Sequence, residues 1–530
     1  MSYRLKSFQR FFLYSSATIL SVISSNYAFA KQPNNEVVVK AQPPNIIMIM
    51  ADDLGYGDTG FTGHSIIETP HLDAMANDGL MMTNFHAGAP VCSPTRGTFV
   101  TGRHFFRYGI FNANRGHLPK QEITLSEVLK EKGYTTGHFG KWHLGTLSKT
   151  MSSKGAKRQP AQNYSPPVWH GYDTSFVTES AVTLWDPGVG KRAKNNPFWL
   201  DGIALDAADP SLLGSASRVV MDRAIPFIEQ AVERKQPFFT MIWFHAPHAD
   251  IAAGPKSHKY YTDQGVSEKA AHYYGVVTEM DKEVGRLRAK LKKLGIADNT
   301  LITFTSDNGP EGRRGIRGVF AGETDGLRGR KGSIYEGGVR VPTLALWPGV
   351  IQAGSKTDVA GSTLDYFPTI TDLVNYQLPD QRPIDGESLL PLLTAEQPNK
   401  YQRKKEIITR YRDIMTLIDG DFKFVTNIAT LKGLSGRTHE TELYNLKEDR
   451  AESNNISQQY PEKIKAYQAM LVNANQSFYD SHQGKDYHDP DFKVVGKWQA
   501  DIDHKAEKMK AKSKKKSKKA SKSSSNKNNN

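Results

Sequence analysis

Several groups of polar residues directly follow apolar runs of strand length, and their types suit acid, base and cation chemistry. Asp52-Asp53 follows the run 46–50, Lys141 and His143 follow 134–139, His245 and His248 end 238–244, and Asp307-Asn308-Gly309 closes 301–305. Each has an ordinary explanation when taken alone. An Asp pair caps helices, Asp-Asn-Gly makes turns, and a histidine near a strand end is commonly a hydrogen-bonded core residue. Together they point to one site, because ligands of parallel sheets bind at the carboxyl ends of the strands. The carboxylates of Asp52, Asp53 and Asp307 with the Asn308 amide oxygen form a hard, all-oxygen set, suited to Ca²⁺ or Mg²⁺ rather than zinc. A further segment is Cys92-Ser93-Pro94-Thr95-Arg96-Gly97, continued by Thr101-Gly102-Arg103. Pro94 fits a first helical turn, and Arg96 follows about one turn on. A helix start favours an anionic ligand, although a lone cysteine is also a common small core residue.

The elements that would carry these groups alternate in type. The strand-like runs 46–50, 238–244 and 301–305 are largely apolar on both sides. Between them, Thr124-Leu125-Ser126-Glu127 has capping-box spacing and opens a short helix to about Lys132. Residues 216–233 read as helix, with Pro226 predicted to kink or interrupt it, and 270–294 as a long amphipathic helix. Doubly apolar strands alternating with helices predict an α/β fold with a large, mainly parallel central sheet flanked by helices. From about Lys405 the texture changes. Residues 414–425 read as a hairpin turning near Asp419-Gly420 and 461–479 as a last helix, giving a smaller C-terminal α+β domain with an antiparallel sheet. The expected boundaries are 43–400 and 401–500.

Composition narrows the class. The chain has 530 residues, 38% hydrophobic and 23% charged, which excludes a disordered or membrane-embedded protein. One cysteine excludes an intramolecular disulfide framework and a four-thiolate zinc site. The net charge of +14 resides at the ends. Residues 1–30 carry Arg4, Lys6 and Arg10 and no acid, and 505–530 hold eleven lysines against Glu507. The body between is close to neutral, so no nucleic-acid partner is expected. Residues 1–30 read as a secretory signal, with a basic start, an uncharged stretch and Ala28-Phe29-Ala30 as cleavage site. This predicts export to the periplasm or beyond, with no stable membrane insertion. A polar linker follows at 31–42. The Lys/Ser/Asn-rich tail 501–530 has almost nothing to bury and is expected to be disordered, serving as a solubilising tail or an arm for anionic polysaccharide.

The segment Cys92-Ser93-Pro94-Thr95-Arg96 resembles the Cys-x-Pro-x-Arg signature of the formylglycine-dependent sulfatases, members of the alkaline phosphatase superfamily. Ala51-Asp52-Asp53-Leu54-Gly55, Gly140-Lys141-Trp142-His143-Leu144-Gly145, Ser306-Asp307-Asn308-Gly309, and Gly329-Arg330-Lys331-Gly332 with Tyr335-Glu336-Gly337-Gly338-Val339-Arg340 also match, in order. Glu442-Leu443-Tyr444-Asn445-Leu446 looks like the family's closing strand, so the likeness runs from about 44 to 480. It implies that a formylglycine-generating enzyme oxidises Cys92 to formylglycine, whose aldehyde hydrates to a geminal diol. It implies that Asp52, Asp53, Asp307, Asn308 and modified Cys92 ligate one metal, Ca²⁺ in most of the family, with Mg²⁺ as the other candidate. Arg96 and Lys141 would hold the diol and the developing charge while one diol oxygen attacks sulfur in line. His248 and Lys331 match the leaving-group side, with His248 favoured as general acid, and His143 matches the base that collapses the sulfated hemiacetal. Such acid–base help is worth roughly 10²- to 10⁴-fold. One departure is Pro247-His248-Ala249-Asp250 where the family often has Pro-His-x-Pro. It leaves the loop path open and makes His245 a rival acid.

The resemblance implies a sulfate monoester substrate but not its carrier. Trp185-Asp186-Pro187 lies in a loop-rich insertion with His170, Asn195 and Asn196, offering an indole face and hydroxyl ligands for a sugar. A Trp packed under a loop explains it as well. Arg313, Arg314 and Arg317 form a basic loop expected beside the cleft, either reading further sulfates or carboxylates or simply solvated. The basic stretch 149–158 reads as a mobile rim. The expected substrate is a sulfated glycan, such as an algal galactan of the carrageenan type. The alternatives are a small aryl sulfate, a phosphomonoester or phosphonate hydrolase of the same superfamily, and a polyanion-binding protein with a decayed site.

Overall fold

The computed structural model describes residues 43–311, 322–431 and 441–498. The expected signal sequence, the linker, the basic tail, and Arg313, Arg314 and Arg317 lie outside the described residues. The strands are β1 (Asn45–Asp52), β2 (Leu80–Met82), β3 (Phe85–His86), β4 (Thr135–Lys141), β5 (Thr174–Thr178), β6 (Trp199–Leu200), β7 (Ile203–Ala204), β8 (Phe238–Pro247), β9 (Thr300–Ser306), β10 (Thr343–Leu346), β11 (Ser355–Thr357), β12 (Gly361–Ser362), β13 (Ile407–Tyr411), β14 (Ile414–Asp419), β15 (Phe422–Asn427) and β16 (Glu442–Asn445).

Ten of them form one sheet in the order β11-β2-β10-β9-β1-β8-β4-β5-β6-β7. Its centre, β9-β1-β8-β4-β5, is parallel throughout. Antiparallel β10 and β6 flank that centre. Every residue of β1, β8 and β9 is buried, which is why these strands read as unbroken apolar runs rather than alternating ones. β3 and β12 make a short parallel pair, and β13 to β16 an antiparallel meander.

Helices cover both faces. The first seven are α1 (Pro70–Asp78), α2 (Cys92–Thr101), α3 (Leu125–Glu131), α4 (Gly190–Asn195), α5 (Ala216–Glu233), α6 (Pro255–Thr262) and α7 (Glu268–Lys293). One large apolar core joins α5 and α7 to the sheet through residues such as Met221, Ile228, Ile242, Phe244, Val277 and Met280. Side chains alternate along a strand, so Trp243 points to the other face, where it meets Phe99 of α2 at 5.8 Å between ring centres. The capping box of α3 forms as its sequence predicts, with Thr124 accepting from the Glu127 amide and Glu127 from the Thr124 amide.

α5 runs unbroken through Pro226, so the interruption expected there does not occur. An internal proline costs about 3 kcal/mol. Full burial of Val220, Met221 and Ile228 on one face contributes roughly 1.5–3 kcal/mol each and outweighs that cost.

Candidate active site

The parallel register brings the polar groups to one edge of the sheet. Asp52 lies opposite Pro247, Ala51 opposite Ser306, and Gly140 opposite Trp243. Hence Asp52-Asp53, Lys141, His248 and Asp307-Asn308 leave neighbouring strands on the same side. α2 starts at Cys92 and is buried along its whole length, which aims its first turn at this edge. One ligand atom from each of Asp52, Asp53, Cys92 and His248 lies within 4.8 Å of all the others.

The acids are held by cations. Lys141 Nζ stands 2.8 and 2.7 Å from the two oxygens of Asp52. Arg96 donates to Asp307 Oδ2 through Nε at 3.0 Å and Nη2 at 2.7 Å, and through Nη1 to the Lys141 carbonyl at 3.1 Å. Lys331 Nζ reaches Asp53 Oδ2 at 2.6 Å, and Asn308 Nδ2 reaches Asp53 Oδ1 at 2.8 Å. This fixes the Asn308 amide so that its buried Oδ1 has no partner among the described residues. Gly309 lets the loop close: a Cβ there would sit 2.0 Å from the Gly337 carbonyl.

Burial alone would raise the pKa of Asp52, but Lys141, His248, Arg96 and Lys331 together hold it well below the usual range. Asp307 goes the other way. Burial and the neighbouring Asp52 push it up to about 7 despite Arg96 and Lys141. Burial, then Asp307, pushes the Cys92 thiol far up, so the thiolate is not available near neutral pH.

The two motif histidines differ. His143 Nε2 bonds Asn114 Oδ1 at 2.9 Å, so Nε2 carries the proton, and Nδ1 is buried without a partner among the described residues. Burial, Lys141 and Arg96 hold this imidazole neutral, leaving Nδ1 a free lone pair. His248 Nδ1 donates to the Ala249 carbonyl at 2.5 Å, and Nε2 lies 3.6 Å from Asp53 Oδ2. Burial and Lys331 push His248 down to about 4. Lys331 moves in the other direction: burial lowers it, but Asp53, Cys92, Asp52 and Glu311 raise it well above the ordinary lysine value. Near neutral pH, Lys331 therefore holds a proton and the resting His248 does not. His245, the rival, is fully buried, and its ring meets Phe198 edge-on.

Other residues singled out in the sequence take structural places. His170 is completely buried, with Nε2 2.7 Å from Ser165 Oγ and its ring against Trp142, so it offers no face to a substrate. Trp185 is half-buried against Gly254, where an added Cβ would fall 2.2 Å from the indole. Asp186 accepts the Gly214 amide at 2.6 Å. Asn196 is buried on the Ser180 backbone, whereas Asn195 is exposed. In the largely exposed stretch 149–158, Ser152 and Ser153 both bond Glu179.

Three features of the site are not written in any motif. Asn114 aligns His143. Arg192 bonds Asp250 at 2.8 Å and the Ala249 carbonyl beside His248, which is where the loop after Pro247-His248 goes. Asp53, His143 and Asn114 adopt left-handed φ of 68°, 62° and 58°. Only Asp250 in place of a proline signalled any of them.

Comparison with known proteins matches this arrangement. Residues 44–376 fit the sulfatase family model, and 329–477 fit that of the N-sulphoglucosamine sulphohydrolase C-terminal region. Arylsulfatase A of Homo sapiens is 36% identical over 375 residues, covering 68% of this chain and 70% of that protein. Steryl-sulfatase of Mus musculus is 32% identical over 430 residues, covering 67% of this chain and 66% of that protein. Among solved structures, Ps i-CgsB in complex with k-i-k-neocarrahexaose superposes with a TM-score of 0.68 at 25% identity, over 85% of this chain and 96% of that one. The named relatives are sulfuric ester hydrolases, and the family model spans more than half of the sequence: the chain belongs to the sulfatase family.

Proposed function

We propose that the protein hydrolyses sulfate monoesters on a sulfated glycan, with Cys92 as the source of the nucleophile. One observation carries the reading: Cys92 opens a buried helix within reach of Asp52, Asp53 and His248, with Arg96, Lys141 and Lys331 spread around the same point. Such a set surrounds the trigonal-bipyramidal, negatively charged transition state of in-line sulfuryl transfer with fixed positive charge.

The residues fit a divalent cation. The carboxylates of Asp52, Asp53 and Asp307 are buried together, and Asn308 Oδ1 is a buried acceptor without a partner among the described residues. Asp52, Asp53, Asp307, Asn308 and the residue at 92 would hold it, with Ca²⁺ the expected ion. When bound, it would draw charge from a sulfate oxygen. Formylglycine at 92 would supply a hydrated aldehyde as nucleophile.

The chain's own groups do the rest. Arg96 and Lys141 hold Asp307 and Asp52 and place their positive charge beside residue 92. His143 Nδ1 accepts a proton on that side. Lys331 and His248 stand across Asp53 and serve the departing alcohol oxygen, with Lys331 carrying the proton in the resting site. Residues 1–30 would direct the chain for export; among the described residues no helix is long and apolar enough to cross a membrane.

The substrate reading is a sulfated oligosaccharide of the carrageenan type. It draws on the likeness to a structure holding a neocarrahexaose and on the basic loop with Arg313, Arg314 and Arg317. The test combines mass spectrometry of the Cys92 peptide with release of inorganic sulfate from a panel of sulfated oligosaccharides. Fully converted enzyme that frees no sulfate from any ester overturns the proposal. Neutralising Arg313, Arg314 and Arg317 should reduce turnover of oligosaccharides more than that of a small aryl sulfate; equal losses count against a glycan.

A further inference from the structure

The turn that carries Lys331 is held from two directions. On one side, the Lys331 amide donates to the Pro310 carbonyl at 3.0 Å and the Gly332 amide to the Pro90 carbonyl at 2.8 Å, two residues before Cys92. On the other, the turn is fastened to the small antiparallel sheet, which contributes no motif residue to the cleft. Lys423, the second residue of β15, is 1% exposed. Its ammonium donates to the Ile334 carbonyl at 2.9 Å and to Glu336 Oε1 at 2.8 Å, and stands 2.8 Å from Glu452 Oε1. Glu452 in turn accepts the Glu336 amide at 2.6 Å. Tyr335 adds a link of its own, its hydroxyl donating to Glu442 of β16 at 2.8 Å.

We infer that Lys423 is a positioning residue for Lys331, and that the C-terminal sheet acts on the reaction by fixing the 328–336 turn on which that ammonium rides. The electrostatics give the reason. Glu336 and Glu452 are both buried and adjacent, and the Lys423 ammonium stands 2.8 Å from each. Arg340 and His86 also contact Glu336, but neither touches Glu452. Without the Lys423 charge the two carboxylates repel, and the freest movement is that of Glu336 with the turn before it. Lys331 Nζ then leaves its place 2.6 Å from Asp53. The chain between Ile334 and Lys331 is short, so little slack exists to absorb the shift.

The inference rests on the site reading above, and its test has an arm that does not. The full-length enzyme is briefly treated with an amine-acylating reagent, and Lys331 and Lys141 are quantified by peptide mass spectrometry. In Lys423→Met, labelling of Lys331 should rise several-fold while that of Lys141, on β4, stays as in wild type. Turnover should fall about 10- to 100-fold, the scale for loss of an outer support. The double variant Lys423→Met/Lys331→Ala should be no slower than Lys331→Ala, and Lys423→Arg should recover most of the activity. If Lys423→Met does not accumulate as folded protein, Tyr335→Phe carries the same comparison with a smaller rise. Unchanged Lys331 labelling in the folded variant, or equal rises at Lys331 and Lys141, overturns the inference, the second result meaning general loosening. Full activity of Lys331→Ala would instead count against the role given to Lys331 above, and the labelling would still decide what holds it.

Discussion

The two walls of the cleft are built differently. On the nucleophile wall, Cys92, Arg96, Asp52, Lys141 and Asp307 are all essentially inaccessible, and they sit in α2, in strands or immediately after them. On the opposite wall, His248 and Lys331 remain 21% and 14% exposed, lie on loops, and share Asp53 as a partner. Under the proposed function, the contrast follows from what each wall would meet. A sulfuryl group is the same in every substrate, so the charges that face it gain from being fixed and dry. The alcohol that departs varies, and loops on a rigid frame are where such variation is accommodated. Under the proposed function, the regular elements would hold the groups that face sulfur and the loops those that face the alcohol.

The largest effect is expected on the first wall. Cys92→Ala should lower turnover by more than about 10⁴-fold, the scale for loss of a nucleophile, with glycan binding retained. A residual rate near wild type would mean that some other group attacks, and the division between walls would fail. On the second wall, Lys331→Ala and His248→Asn should each cost roughly 10²- to 10⁴-fold. That loss should grow as the leaving alcohol becomes a poorer leaving group; a loss independent of the alcohol would place these residues on the sulfate instead. Smaller again is the effect of Ca²⁺ on the folded protein. At a concentration about 100 times its Kd, a specifically bound ion adds about 2.7 kcal/mol to unfolding, read as a rise in Tm. Asp52→Asn should abolish most of that rise, and an unchanged rise would put the ion elsewhere.

The same contrast explains what the sequence could disclose. Asp52, Lys141 and Asp307 announce themselves because a doubly buried strand must read as an apolar run, and a charged residue at its end is conspicuous. The Thr124 cap likewise depends only on residues three apart. Pro226 misleads because local helix chemistry is overruled by a packing face that involves α7 and the sheet. His170 and Trp185 mislead for another reason: residue type suggests a ligand contact, whereas burial against Ser165 or Gly254 depends on distant chain. Lys423 lies beyond local reading altogether, since its partners Ile334, Glu336 and Glu452 are remote in sequence.

His170 provides the mildest and most discriminating comparison, because it lies behind the first wall rather than in it. Burial, with His117 and Lys120 nearby, pushes its pKa down to about 3 from 6.5. A depressed folded-state value means that the unfolded chain takes up a proton there which the folded chain refuses. The stability His170 contributes is then complete above pH 6.5 and is lost as pH falls from 6.5 toward 3, by up to about 1.4 kcal/mol per pH unit. In His170→Gln that source of acid lability is gone while the bond to Ser165 can persist. The unfolding free energy of wild type minus variant should therefore shrink steadily on acidification, with KM and kcat at neutral pH unchanged. A variant whose KM rises while its stability profile overlays that of wild type would show that His170 faces the substrate, and that the boundary of the cleft extends past Trp142.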